Sequence, residues 1–337
     1  MNIPANDSRG PALRVLVTGA SGFIGRTLTQ RLLERQHPVN VLSRTAGQGG
    51  MDSEECRVFT GDINDPTVLR QACRGVNTVF HLAAYAHVNH HDVALMRATN
   101  VEGTRTLLEA AIAEGVRRIV FFSSTLAAVD EAQLSDYGRA KRDAEILLLE
   151  AAAAGRIEVC CLRPVNVYGL GMRGNLMTMI RLIHKGVFPP LPRPAASVSL
   201  VGSQDLCQAA LLAALAPQAN GQVYEVTDGR TYTMKGLEVT IRQALGRPLP
   251  RWEVPMPMLW LGMAMLDVVG RVLRLDNAPG LRNYRTLSTD SVFSCEKIQR
   301  ELGYNPAATF TGELPAIVAQ LGFPAGAVGR QGRPPQN

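Results

Sequence analysis

Val15-Leu16-Val17-Thr18-Gly19-Ala20-Ser21-Gly22-Phe23-Ile24-Gly25 decides the fold of this 337-residue chain. A short apolar run ends in a glycine turn, and an amphipathic segment follows to about Arg35. Gly19, Gly22 and Gly25 are spaced G-x-x-G-x-x-G rather than G-x-G-x-x-G, but the physics is the same. Glycines allow a tight turn and close backbone approach to a pyrophosphate. A helix opening there offers free N–H groups and the positive end of its dipole. A strand before the turn and a helix after it favour a ligand-binding turn over a bare connection.

Outward from this stretch the alternation continues. Strands are predicted at Val39–Ser43, Cys56–Thr60, Thr78–Leu82, Arg118–Ser123 and Ile157–Leu162. Helices are predicted at Pro66–Cys73, Val93–Glu114 and Tyr137–Ala154. Strands alternating with long helices mean βαβ units, so the fold class is α/β: a doubly wound parallel (Rossmann) sheet. After Tyr168 the pattern changes. Pro189, Pro190, Pro192 and Pro194 punctuate a loop and shorter elements follow. The reading is a dinucleotide-binding domain over 13–168, to which later segments return, and a smaller α/β substrate lobe over 169–322. Tails at 1–12 and 325–337 read as flexible.

Composition sets the outer limits. Hydrophobic residues make up 46% and charged residues 19%, which excludes a disordered or disulfide-scaffold chain. The net charge of +6 allows an anionic ligand, but the basic residues are scattered, so no nucleic-acid stripe is read. Six cysteines form no CxxC pair and no zinc spacing, and they read as buried thiols of a cytoplasmic protein. Met1–Leu13 lacks the apolar core of a signal peptide. Val254–Gly270 is the most apolar stretch, but Pro255, Pro257 and Asp267 interrupt it and it falls short of a membrane span. It reads as a buried helix of the smaller lobe. Met256, Met258, Met263 and Met265, with Trp252 and Trp260, are expected in the core; a face for lipid or membrane is the lesser reading.

Four candidate sites of chemistry follow the glycine turn. Ser43-Arg44 ends the second strand, where an NAD site would carry an acid about 20 residues past the glycines. Arg44 there suits a 2′-phosphate, against the plain alternative of a solvated side chain. Asp62 and Ile63 follow the third strand; Asp62 suits an adenine amino group or a helix N-cap. Tyr137 and Lys141 stand four residues apart on one helix face, so the ammonium is expected to lower the phenol pKa towards working pH. Ser123-Ser124-Thr125 ends the fifth strand at the sheet edge where ligands bind. His81, His87, His90 and His91 invite a metal reading, but no matching acid or third ligand is evident, so no metal is expected and a solvated loop is preferred.

Taken together, these motifs resemble the extended short-chain dehydrogenase/reductases, the NAD(P)-dependent sugar epimerase, dehydratase and 4-ketoreductase group. The resemblance spans roughly residues 13 to 322. It rests on Thr18–Gly25, Gly61-Asp62-Ile63, His81-Leu82-Ala83-Ala84, Asn100–Thr104, Ser123-Ser124, Tyr137-x-x-x-Lys141, Arg163–Gly169 and Leu302–Pro306. It implies that Tyr137 is the acid/base, that Lys141 binds ribose and tunes Tyr137, and that Ser124, or alternatively Thr125, polarises the substrate oxygen. It places the cofactor along Gly19, Ser21, Gly22, Phe23, Ile24, Gly25, Arg44, Asp62, Ile63, Leu82, Ala83, Ala84, Asn100, Tyr137, Lys141 and Pro164, with NADP(H) slightly favoured over NAD(H). Asn166 lies near the substrate by the same analogy. The family often dimerises through the helices beginning near Val93 and Tyr137.

Two departures weaken a nucleotide-sugar substrate. The Thr125–Tyr137 segment is short, and no Arg directly precedes Ala195–Val201, so Arg193 would have to substitute. Pro255–Leu275, Leu287–Asp290 and Leu302–Tyr304 look like the tail of 3β-hydroxysteroid-dehydrogenase-like members, which act on apolar alcohols. The leading expectation is an NAD(P)-dependent epimerase or reductase of a nucleotide-sugar. The alternatives are a sterol-type dehydrogenase and a non-catalytic NAD(P)-binding sensor.

Overall fold

The computed structural model describes residues 13–45, 55–85, 92–193, 195–272, 284 and 287–322. The predicted tails, and His87, His90 and His91, lie outside or largely outside them.

Seven parallel strands form the main sheet, ordered β3-β2-β1-β4-β5-β6-β9. They are β1 (Val15–Thr18), β2 (Val39–Ser43), β3 (Cys56–Thr60), β4 (Thr78–His81), β5 (Arg118–Phe122), β6 (Glu158–Pro164) and β9 (Gln222–Val226). The direction of pairing reverses at β1, with β2 on one side and β4 on the other. Strand alternation splits the core into two layers. Val15, Val17, Phe80, Val120 and Leu162 face one side. Leu16, Val79, Ile119, Phe121 and Cys161 face the other. Because both their faces are buried, β1, β4 and β5 read as near-continuous apolar runs, whereas β3 and β9 at the sheet edges are only partly buried.

Helices α1 (Phe23–Glu34) and α7 (Ser203–Leu215) contribute Leu28, Leu32, Leu206 and Ala210 to the first layer. Helices α2 (Pro66–Cys73), α4 (Gly103–Ala113) and α5 (Asp136–Ala153) contribute Leu69, Leu107 and Leu148 to the second. A short α3 (Val93–Arg97) runs into α4 through a π-turn at Ala98–Glu102. Asp65 caps α2 by accepting from the amides of Thr67 and Val68, so the cap is not Asp62, whose Oδ1 closes a local turn on Asn64.

The second lobe is built on β10-β8-β7, from β7 (Asn166–Tyr168), β8 (Ser197–Gly202) and β10 (Thr231–Thr233). Over it pack α6 (Asn175–His184), α8 (Met234–Ala244) and α11 (Phe310–Gln320). Helix α10 (Glu296–Leu302) returns to the first layer with Ile298 and Leu302. Asp228 joins the parts: its amide donates to the Leu200 carbonyl, and its Oδ2 accepts from the hydroxyls of Tyr168 and Tyr232.

The apolar segment is α9 (Met256–Val272). Among its described side chains only Leu259 is fully buried, and Met256 and Met263 are half-buried. Met258, Met265, Trp252 and Trp260 are exposed, which corrects the expectation that they line the core. An apolar residue at nearly every helical position leaves periodicity unable to name the inward face.

All six cysteines are buried and none forms a disulfide. Burial pushes Cys73, Cys160 and Cys207 up to about 12 and raises Cys161 well above the usual thiol value, so these four are inert. Among the described residues, no helix is long and apolar enough to cross a membrane.

Candidate active site

The carboxyl edges of β1, β4 and β5 carry the site. At β1, Gly19 has φ +74° and lies against the next strand, where an added Cβ would fall 2.7 Å from the Ala83 nitrogen and 2.8 Å from the Leu82 carbonyl carbon. An added Cβ on Gly25 would collide with the Gly19 carbonyl oxygen and stand 2.7 Å from Cα of Ala20. The Gly22 amide donates to the Gly19 carbonyl, closing the turn. Gly22 then begins α1 with no side-chain cap, whereas Asp65, Ser135 and Thr233 cap α2, α5 and α8. The first amides of α1, Phe23 and Ile24 among them, are left for an external acceptor. Ser21 and Phe23 also line a cleft of about 370 Å³ that reaches Gly171, Arg173 and Gln320 of the second lobe.

Beneath the turn lies a hydrogen-bond relay that sequence reasoning missed. The Ala83 amide donates to Thr18 Oγ1 at 3.2 Å, and Thr18 Oγ1 meets His81 Nδ1 at 2.7 Å. His81 Nε2 meets Thr104 Oγ1 at 2.9 Å, and Thr104 donates onward to the Asn100 carbonyl at 2.7 Å. Donor counting fixes the tautomer: Thr104 must accept from His81, so Nε2 carries the proton and Nδ1 accepts from Thr18. Burial, with the nearby charge of Lys141, holds His81 down to about 3, so it is neutral. Buried with both ring nitrogens hydrogen-bonded, it is not part of a solvated loop. Among the described residues no cluster suits a metal ion.

Asn100 completes the brace. Its Oδ1 accepts from the Tyr85 amide at 2.6 Å and its Nδ2 donates to the Tyr85 carbonyl at 3.2 Å. The predicted cofactor residue Asn100 is thus buried and engaged with backbone, holding the half-buried Leu82–Tyr85 segment. The π-turn carrying it is a motif that recurs at functional sites.

At β5 and α5 the catalytic candidates come together. Lys141 is buried and its Nζ donates to the Phe122 carbonyl at 2.7 Å. It lies 4.6 Å from the centre of the Phe121 ring and 6.0 Å from that of Tyr137. Burial lowers Lys141 to about 8, against the opposing effect of Glu145 one turn on. Glu145 is itself buried and paired in fork geometry with Arg163, at 2.9 and 2.5 Å. Tyr137 is pushed up to about 12 by burial. The expectation that Lys141 pulls this phenol down is therefore corrected: desolvation of the phenol dominates.

Ser124 caps a 3₁₀ turn at Thr125–Ala128, its Oγ accepting from the Leu126 amide at 3.2 Å, and Thr125 is buried. The buried Ser123 hydroxyl has no hydrogen-bond partner among the described residues, an orphan that sequence alone does not reveal. The short segment before Tyr137 is tied to α5: Arg142 donates to the Ala127 carbonyl at 2.8 Å and pairs with Glu131 at 3.0 Å. Gly138 lets α5 sit on this turn, since a Cβ there would meet the Leu126 carbonyl at 2.5 Å.

The remaining candidates are dispersed. Arg44 is exposed after β2, without a hydrogen bond or ion pair to a described residue. The Ser43 hydroxyl donates to the Thr45 carbonyl at 2.9 Å. Asp62 is exposed, and the Ile63 side chain is in the core under Gly103, leaving only its backbone for a ligand. Pro164 is buried at the end of β6 and Asn166 is exposed on β7. Arg193 pairs with Glu253 at 3.2 Å, and no described contact links it to Tyr137 or Ser124. The glycine cradle, the uncapped α1 amides and the orphan Ser123 hydroxyl fit a bound dinucleotide.

The NAD dependent epimerase/dehydratase family model matches residues 15–227. The chain belongs to that family, and it is an NAD-dependent enzyme of the extended short-chain dehydrogenase/reductase group. It is 29% identical over 318 residues to a UDP-glucose 4-epimerase of Vibrio cholerae, covering 88% of this chain and 91% of that protein. It is 30% identical over 328 residues to a 3 beta-hydroxysteroid dehydrogenase/Delta 5-->4-isomerase of Mycobacterium tuberculosis, covering 88% and 87%. A UDP-glucose 4-epimerase solved with UDP-glucose, from Thermotoga maritima, superposes with a TM-score of 0.72 at 23% identity, over 92% of this chain and 98% of that one.

Proposed function

We propose that this enzyme interconverts a secondary alcohol and a ketone on a nucleotide-sugar, with Tyr137 moving the hydroxyl proton. One observation carries the reading. Tyr137 and Lys141 share a face of α5, and Lys141 is anchored to the Phe122 carbonyl beside the Ser123-Ser124 strand end. The glycine turn of β1 lies on the same sheet edge.

When bound, the nicotinamide supplies or accepts the hydride. The chain's residues do the rest. Tyr137, with its pKa raised to about 12, holds its proton at neutral pH and is prepared to give it to a developing alkoxide. Lys141 still carries its charge at neutral pH and stabilises negative charge on the phenol oxygen. Ser124, or Thr125, donates to the substrate oxygen and fixes its position. Gly19, Ser21, Gly22, Phe23, Ile24 and Gly25 bind the pyrophosphate side of the dinucleotide. Leu82, Ala83 and Ala84 line its path, held by the relay through Thr18 and His81. Arg44 favours NADP(H) over NAD(H), and Asn166 faces the substrate side. Homodimerisation through α3, α4 and α5 belongs to the same reading; Val93, Leu95 and Ile146 offer exposed apolar contacts there.

Tyr137→Phe tests the proposal. It keeps the ring and removes the proton, so turnover is expected to fall ~10²-fold or more, with cofactor affinity unchanged. Undiminished turnover would overturn the assignment. A second reading, an apolar alcohol substrate, is favoured by the short segment before Tyr137 and by Arg193 being held by Glu253. Side-by-side assays with UDP-sugars and a 3β-hydroxysteroid separate the two.

A further inference from the structure

We propose that α9 is a membrane-surface anchor that docks the second lobe on a bilayer containing anionic lipid. The helix meets the protein along one broad stripe, Met256, Leu259, Met263, Ala264 and Asp267. At 100° per residue, its exposed positions from Pro257 to Val269 sweep an unbroken arc of about 180°, with Trp260 exposed beside it. Every residue on that arc from Pro257 to Val269 is apolar, glycine or proline. Met258 is 65% exposed, Met265 62% and Leu261 55%. Asp267, the one charged residue between Met256 and Val269, lies in the inward stripe.

Such a surface in water is costly, and a contiguous apolar patch of this kind marks a contact. The edges of the patch point to the occupant. Trp252 and Trp260 are exposed at the amino end, where indole suits the boundary between acyl chains and headgroups. Exposed Arg251 stands beside Trp252, and the chain carries a net charge of +6, complementary to anionic headgroups. At 17 residues, α9 lies on the surface rather than spanning it.

The test uses the chain's own fluorophores, because Trp252 and Trp260 are its only tryptophans. The full-length protein is mixed with vesicles of phosphatidylcholine, alone or with phosphatidylglycerol, and followed by flotation and tryptophan emission. The expected result is flotation that increases with phosphatidylglycerol, a blue-shifted emission, and quenching by brominated acyl chains. The double substitution Leu261→Glu with Met265→Glu is expected to reduce partitioning ~10-fold or more, about 1.4 kcal/mol, with dinucleotide binding retained. Quenching in the unaltered protein keeps the test independent of how the variant folds. Wild-type protein that stays in the aqueous phase, or a variant that floats equally well, overturns the proposal. So does a dimer in sedimentation that the double substitution converts to monomer without any vesicle binding; a second copy then covers the helix.

Discussion

The central strands of the seven-stranded sheet are buried on both faces between helices, whereas in the second lobe α9 leaves most of its described side chains exposed. The first region is determined on every side. Leu16 and Val17 point to opposite core layers, and a shift of register by one residue would move both. The second region is assembled from pieces far apart in the chain: β7, β8, β10, Ser291 and α11. The chemistry of the site, from the glycine cradle to Lys141, sits on the over-determined region. The surface with unsatisfied apolar area sits on the other.

The sharpest way to break that contrast is truncation on each side of it. Leu16→Ala removes a side chain with no exposure at the centre of the sheet. Its expected cost is ~2–5 kcal/mol, read from urea denaturation. Met265→Ala on the outer arc of α9 is expected within ~0.5 kcal/mol of wild type in lipid-free buffer. Comparable losses at the two positions would mean that α9 is packed in solution and that the contrast is false.

The same contrast explains what the sequence reveals. Strands β1 to β6 stand among helical segments, and burial on both faces makes β1, β4 and β5 apolar runs, so their positions are legible within a residue or two. Strand β9 is not legible as a sheet member. Gln-Val-Tyr-Glu-Val alternates like an edge strand, and its place beside β6 comes from long-range pairing of Cys160 with Gln222. Tyr137, Lys141 and Ser124 are legible because their spacing on a helix and at a strand end is local. The relay through Thr18, His81 and Thr104 is not, because its members are 63 and 23 residues apart. Desolvation of Tyr137 is also invisible to spacing, which is why a lowered phenol pKa is predicted and a raised one found. The outward face of α9 is hidden because a helix apolar all round carries no directional signal.

His81 offers an intermediate test, confined to the first region. Its folded pKa of about 3 lies below the usual 6.5. As pH falls through 6.5, the unfolded chain takes up a proton that the folded chain refuses until near 3, so stability falls with pH across that window. The slope from this one group is about 1.4 kcal/mol per pH unit once the unfolded histidine is fully protonated. His81→Asn removes the titration while keeping polar atoms for Thr18 and Thr104. Urea midpoints between pH 6 and pH 4.5 are expected to fall less steeply for the variant than for wild type. Parallel slopes would mean that His81 is protonated in the folded chain and that the deduced tautomer is wrong.

The smallest expected effect lies at the rim of the first region, where the sheet edge meets solvent. Arg44 follows β2 next to the glycine turn, free of any described partner and so available to a ligand. A guanidinium forms a bidentate, charge-assisted pair with phosphate, and no carboxylate stands there to accept a ribose 2′-hydroxyl. The Ser43 hydroxyl already donates to Thr45, so the contact rests on Arg44 alone rather than on the pair. Arg44→Ala is therefore expected to weaken NADPH binding ~10-fold, about 1.4 kcal/mol, within the scale of a charged hydrogen bond on an exposed edge. NADH affinity is expected to change little. Titration of both cofactors at low and high salt separates the possibilities, because an exposed phosphate contact weakens as screening rises. Equal losses for the two cofactors would instead assign Arg44 to stacking on the adenine, which both share. No loss for either would leave it a solvated side chain, with cofactor choice made elsewhere on the edge.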